Sequence, residues 1–320
     1  MTWFLIPFAI TAVILMAAYY TYRTAFYSPK RGRANPYAPV EGEQYLPYRD
    51  RIIAATRRMD SLPFEPIWII ADDGTKLFGR YYHSADGAPL QILFHGYRSS
   101  ALRDSSGGHG LARKLKFNIL VIDERAHGIS GGHTISFGIK ERYDCLNWVQ
   151  YASDRFGKNQ PIILSGLSMG AATVLMASDL GLPDNVCCII ADCPFSSPIE
   201  IIQKVCAEMH YPPKLSYPFI LLGARIFGGF NLLESSAVKS VSRAEIPILL
   251  IHGKADYFVP CSMSEEICNA SASRTELHLI PNAGHGLAYM TDPAEYEKIT
   301  IDFLNTIPQI QCYFQKNEAI

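Results

Sequence analysis

Ser168 stands between two glycines in the run Gly166-Leu167-Ser168-Met169-Gly170. A serine hydroxyl is a weak nucleophile until a neighbouring base takes its proton, and the usual base is a histidine oriented by a carboxylate. Both types follow downstream. Asp256 comes directly after the apolar run Ile246–His252, and His285 sits in Asn282-Ala283-Gly284-His285-Gly286, just after the run Glu276–Ile280. Taken singly, Ser168 reads as a residue of a glycine-rich bend, Asp256 as a turn or N-cap residue, and His285 as a surface-loop histidine. Taken together, in the order Ser, Asp, His and each just past an apolar run, they have the types and spacing for acyl transfer. That chemistry also needs donors for a developing oxyanion. The N–H of Met169, after the nucleophile, is one candidate. The N–H of Tyr97 is the other, in the loop after Leu90–His95 where Gly96 allows close approach. His95 itself is expected to be structural, its ring bonding the loop.

These residues need a scaffold that brings distant strand ends to one edge. Strands are expected at Leu90–His95, Ile119–Asp123, Pro161–Ser165, Val186–Asp192, Ile246–His252 and Glu276–Ile280. Helical patterns cover about 105–116, 140–156, 169–180, 262–272 and 293–306. Such alternation predicts an α/β fold, a mostly parallel sheet with helices on both faces. Two further β-like runs, Pro66–Ala71 and Lys76–His83, flank Asp72-Asp73-Gly74-Thr75, a hairpin-type turn. More than fifty residues between Asp192 and Ile246 hold no obvious strand, but two apolar helical stretches, Ile199–Met209 and Tyr217–Phe230. They are expected to form a helical cap, about 194–245, over the C-terminal edge of the sheet.

The 320 residues are 48% hydrophobic with net charge −1, so nothing basic points to nucleic acid. The eight cysteines form no C-x-x-C pair and no zinc spacing, and they read as free thiols. No metal or cofactor is expected, and no nucleotide-binding glycine pattern occurs. Trp3 to Tyr22 is 20 residues without a charge, long enough to span the roughly 30 Å hydrocarbon core as a helix. Trp3, Tyr19, Tyr20 and Tyr22 suit interfacial positions. A cleaved leader would carry a basic n-region and a small-x-small site, and a buried core helix would not be expected at the terminus. The anchor is therefore expected at 1–22. Arg23, Lys30, Arg31 and Arg33 follow it with no acid before Glu41, which favours a cytoplasmic catalytic domain. Residues 23–61 read as a proline-stiffened linker and packing segment, 62–310 as the catalytic domain and 311–320 as a tail.

From about Pro66 to Pro308 the sequence resembles the α/β-hydrolase superfamily. The resemblance rests on His95-Gly96-Tyr97, Asp123–Ser130 (D-x-R-x-H-G-x-S, with Ala126 where a glycine is usual), Gly166–Gly170, His252–Pro260 and Gly284–Gly286. Within it, the chain looks like the membrane-anchored, bem46-like serine hydrolases. The resemblance implies an eight-stranded sheet with an antiparallel second strand, Ser168 as nucleophile, Asp256 as acid and His285 as base. It implies supporting roles for Arg125 and His127. Members hydrolyse esters, thioesters, amides and lipids, so the fold narrows the reaction more than the substrate. The expected function is hydrolysis of carboxylic esters through an acyl-enzyme. The anchor and the apolar cap residues Ile220, Leu221, Leu222, Phe227 and Phe230 suggest an acyl or lipid-like ester. A serine amidase, peptidase or thioesterase is the alternative within the class. A non-catalytic binding protein on the same fold is the alternative outside it. A dehalogenase-like relative would carry Asp at position 168.

Overall fold

Strands covered on both faces carry apolar residues at nearly every position. In the computed structural model β3 (Leu90–Phe94), β4 (Asn118–Asp123), β6 (Val186–Asp192) and β7 (Ile248–Gly253) are buried at every residue. With β1 (Glu65–Ile70), β2 (Lys76–Tyr82), β5 (Ile162–Leu167) and β8 (Thr275–Ile280) they form one eight-stranded sheet, ordered β1-β2-β4-β3-β5-β6-β7-β8. Strand β2 runs antiparallel to both neighbours, and the remaining pairs are parallel. The structure describes residues 2–30 and 33–317, with side chains from residue 6 to 316. The expected interfacial side chain of Trp3, and Arg31 and Gly32 of the basic flank, lie outside the described residues.

Helices fill both faces of the sheet. One layer comprises α4 (Glu141–Phe156), α5 (Met169–Ala177), α8 (Ala237–Val241) and α9 (Ser262–Ala270), which bury Trp148, Val174, Val241 and Ile267. The other comprises α2 (Arg49–Asp60), α3 (Ala101–Lys114), the short α10 (Ala288–Thr291), α11 (Pro293–Leu304) and α12 (Pro308–Asn317), which bury Met59, Leu111, Ala288, Phe303 and Phe314. Helix α3 starts four residues before the expected 105 because the Ser100 side chain accepts the Arg103 N–H and caps it. The strand expected from Ile246 begins at Ile248, after Pro247, which has no N–H to pair.

Two expectations change, the tail and the cap. Of the tail expected at 311–320, residues 311–317 belong to α12, which buries Ile310 and Phe314 and stacks Phe314 on Phe117, and the remainder lies outside the described residues. In the linker and packing segment, 23–61, Phe26 is buried and Ile135 N–H donates to its carbonyl, while a 3₁₀ turn, Glu43–Tyr48, leads into α2. The cap is helical, α6 (Pro198–Glu208) and α7 (Pro213–Ile226), but α7 packs its apolar side on the N-terminal helix α1 (Thr2–Ala25). Gly223 makes this possible, because a Cβ there would collide with the Ala18 carbonyl of α1. Thr21 Oγ1 donates to Phe219 O at 2.9 Å, and Phe230 meets Phe26 edge-on at 5.2 Å. Ala18, Tyr22 and Phe26 are buried there, whereas Phe8, Val13 and Met16 are exposed.

Candidate active site

The turn from β5 to α5 is the tightest point of the site. Gly166 and Gly170 cross so closely that a Cβ on Gly166 would collide with the Gly170 backbone, and one on Gly170 with Phe94 O. Between them Ser168 adopts φ 54° and ψ −111°, a costly conformation for a residue with a side chain. It is held by the Ser168 N–H donating to Asp192 O at 2.8 Å.

The three expected side chains come together. Ser168 Oγ lies 2.9 Å from His285 Nε2, and His285 Nδ1 lies 2.7 Å from Asp256 Oδ2. The carboxylate can only accept, so Nδ1 carries the proton and Nε2 is free to accept the Ser168 hydroxyl. Asp256 Oδ1 accepts the N–H groups of Phe258 at 2.9 Å and Val259 at 2.8 Å. Burial works to raise the Asp256 pKa, but the hydrogen bonds of His252 and His285, with the charge of His285, outweigh it and hold it at about 2. His252 is fixed behind it, donating from Nε2 to Val259 O at 2.8 Å and accepting from Ser264 Oγ at 2.7 Å.

The loop after β3 is clamped from several sides. Gly96 N–H donates to Asp104 Oδ2 at 2.8 Å, and Arg98 N–H donates to His127 Nε2 at 3.0 Å. His95 donates from Nδ1 to Gly96 O at 2.8 Å and accepts the Glu124 N–H at 3.1 Å. Burial lowers the pKa of both His95 and His127, so these rings work as neutral donor–acceptor bridges. Arg125 forks onto Asp144 with two 2.6 Å bonds and reaches Asp73 at 2.8 Å. Among the described residues, neither the Tyr97 nor the Met169 N–H donates to another protein group.

A cavity of about 430 Å³ opens at Ser168, His285 and Phe258. Leu93, Leu111, Leu115, Ile163 and Leu304 line it, together with the polar Gln91, Ser165, Asp192 and Thr300. Burial pushes Asp192 up to about 6, and its Oδ1 has no partner among the described residues. None of the cap residues expected to form an acyl pocket, Ile220, Leu221, Leu222, Phe227 and Phe230, touches this cavity. Its walls come instead from α3, α11 and the segment before the domain, including Val40, Gln44, Tyr45 and Ile52. Instead, Phe227 packs against Tyr19 and Tyr22 of α1 and Phe230 against Phe26 just past it, and Ile220 and Leu221 join the same cluster. Gln44 Oε1 also accepts the His285 N–H at 3.1 Å. Sequence reasoning missed Gln44 and Tyr45, which carry no motif. It missed Asp104 too, although a carboxylate in the first turn of α3 was a usable signal.

Cys193, Asp256 and His285 place ligand-type atoms within 4.8 Å of one another. Burial holds the Cys193 thiol in its protonated form and Asp256 is engaged by histidines, so the set has the chemistry of a packed dyad rather than a metal site.

Residues 92–229 match the family defined by the alpha/beta hydrolase fold. The chain is 30% identical over 229 residues to YqkD of Bacillus subtilis, covering 71% of this chain and 75% of that protein. It is 27% identical over 248 residues to YfhR of Escherichia coli K12, covering 75% and 80%. Among solved structures, the Pyrococcus furiosus esterase Pf2001 superposes with a TM-score of 0.64 at 23% identity, over 86% of this chain and 98% of that one. An esterase from Exiguobacterium antarcticum superposes with a TM-score of 0.55 at 15% identity, over 75% and 99%. By its sheet order, its β5–α5 turn and its relatives, the chain belongs to the α/β-hydrolase family.

Proposed function

We propose that this protein is a membrane-anchored serine hydrolase that cleaves carboxylic esters by two-step acyl transfer. His285 takes the Ser168 proton as Oγ attacks the carbonyl carbon. The Tyr97 and Met169 N–H groups receive the oxyanion, and His285 returns the proton to the leaving alcohol. Water, deprotonated by His285, then adds to the acyl-enzyme and releases the acid and free Ser168. The observation that carries this reading is the continuous chain Ser168–His285–Asp256, at 2.9 and 2.7 Å, beneath a cavity. Two structural neighbours named as esterases agree with it. A cavity of about 430 Å³ with apolar walls suits an acyl chain.

The membrane part of the proposal rests on the helix Ile6–Ala25, which is long and apolar enough to span. Burial of Ala18, Tyr22 and Phe26 against the cap favours a retained helix over a removed leader. The basic flank favours a cytoplasmic active site. Together these features agree with a bem46-like member of the family.

Labelling with a fluorophosphonate probe tests the chemistry. Wild-type protein is expected to label at Ser168 and Ser168→Ala to lose both labelling and esterase turnover with its unfolding temperature unchanged. Persistent turnover in Ser168→Ala would remove the nucleophile assignment. A well-folded wild type that never labels would favour a binding protein instead.

A further inference from the structure

A second cavity, of about 340 Å³, lies at the C-terminal end of α1, lined by Arg23, Arg33 and Arg98 with Tyr27, Ser28 and His127. The three guanidinium groups are held in place by neutral groups only. Arg33 donates to the carbonyls of His127, Gly128, Ser130 and Gly132. Arg98 donates to the carbonyls of Thr24 at 2.7 Å and Tyr27 at 3.2 Å. Arg23 lies 3.8 Å over the Tyr27 ring. Every arginine–carboxylate pair among the described residues involves other arginines. Among the described residues Arg33 Nε is buried without a partner, and burial lowers the Arg33 pKa against the weaker pull of Asp123. His127 adds no charge, because its Nε2 accepts the Arg98 N–H and its Nδ1 donates to Arg125 O. Three oriented cations around one cavity, none of them ion-paired to a carboxylate among the described residues, have the makeup of an anion site.

Its place in the fold selects the anion. Arg23 is in the last turn of α1, and the other two arginines converge on that helix end. The apolar surface of α1 is exposed from Ile6 to Tyr20, and Leu215 and Ile226 of the neighbouring α7 are exposed as well. Arginines at the polar edge of such a surface meet lipid headgroups. We propose that this cavity binds the phosphate of an anionic phospholipid headgroup. The proposal rests on reading α1 as a membrane span. The guanidinium donors recognise the phosphodiester oxygens, and the acyl chains lie along the exposed face of α1.

Full-length protein in neutral detergent, titrated with phosphatidylglycerol, phosphatidylcholine or inorganic phosphate and followed by native mass spectrometry, tests this directly. Phosphatidylglycerol is expected to be retained over phosphatidylcholine. Arg23→Gln and Arg33→Gln are each expected to weaken retention about fivefold, the loss of one juxtamembrane cation. Arg33 also supports the 127–132 loop, so the unfolding temperature of each variant is read alongside, and Arg23→Gln serves as the variant free of that role. Equal retention of both lipids, or retention unchanged in Arg23→Gln, would overturn the proposal. Inorganic phosphate bound as tightly as phosphatidylglycerol would overturn the lipid source. Flotation with neutral phosphatidylcholine vesicles after alkaline carbonate separates the underlying reading. Protein that washes off has lost the membrane span, whereas protein that floats without lipid preference has lost only the headgroup site.

Discussion

Replacing Asp256 by Asn keeps the side chain's shape and removes its charge. The new side-chain amide can still accept the Phe258 and Val259 N–H groups through its oxygen. Its NH₂ group would then face His285 Nδ1, which must accept instead of donate. The imidazole proton moves to Nε2, the atom that must accept from Ser168, and turnover is expected to fall about 10⁴-fold. Stability falls as well. Asp256 has an ordinary pKa of 3.8 and is held at about 2 in the folded protein. A depressed carboxyl stabilises the fold when ionised, so the contribution is full above about pH 4 and is lost as pH falls through about 2. The gap corresponds to about 2.4 kcal/mol at neutral pH, of which about half is gone by pH 3. For a domain of this size that is about 5 °C in unfolding temperature. The assay compares unfolding of wild type and Asp256→Asn at pH 7 and pH 3, with ester turnover measured at pH 7. A variant that keeps a tenth of wild-type turnover would refute the orienting role. A stability gap that stays constant between the two pH values would refute the electrostatic account.

Asp192 has the opposite sign. Burial raises it to about 6, so its ionised form disfavours folding, and stability present below about pH 4 is lost as pH rises through about 6. Asp192→Asn is expected to raise stability by up to about 3 kcal/mol at pH 8 and to leave it unchanged at pH 3, read by denaturant unfolding. Gly223→Val would push a side chain into the Ala18 carbonyl of α1, at a cost of about 1–3 kcal/mol; faster proteolysis between α6 and α7 is the expected sign, and unchanged stability would mean the helices do not pack. Val40→Trp should reduce kcat/KM for long acyl esters about tenfold relative to acetyl esters by filling the cavity, whereas Ile220→Ala should leave the chain-length profile alone; the reverse result would return the acyl pocket to the cap.

Much of the scaffold was legible because its causes are local. Apolar runs such as Val186–Asp192 must be strands covered on both faces, and Gly166 and Gly170 mark a crossing too close for a side chain. Ser168, Asp256 and His285 each follow such a run, so a parallel sheet carries all three to one edge whatever the loops between them do. The walls of the cavity were not legible. Gln44 reaches His285 across 241 positions, and nothing in its neighbours marks it. The same apolar pattern in Ile220 and Phe230 could have faced the substrate or another helix. Periodicity states that a face will be buried, and only the packing of distant segments decides against what. Here α1 took the cap's apolar face, and the segment from Val40 to Ile52 closed over the catalytic edge that was left open.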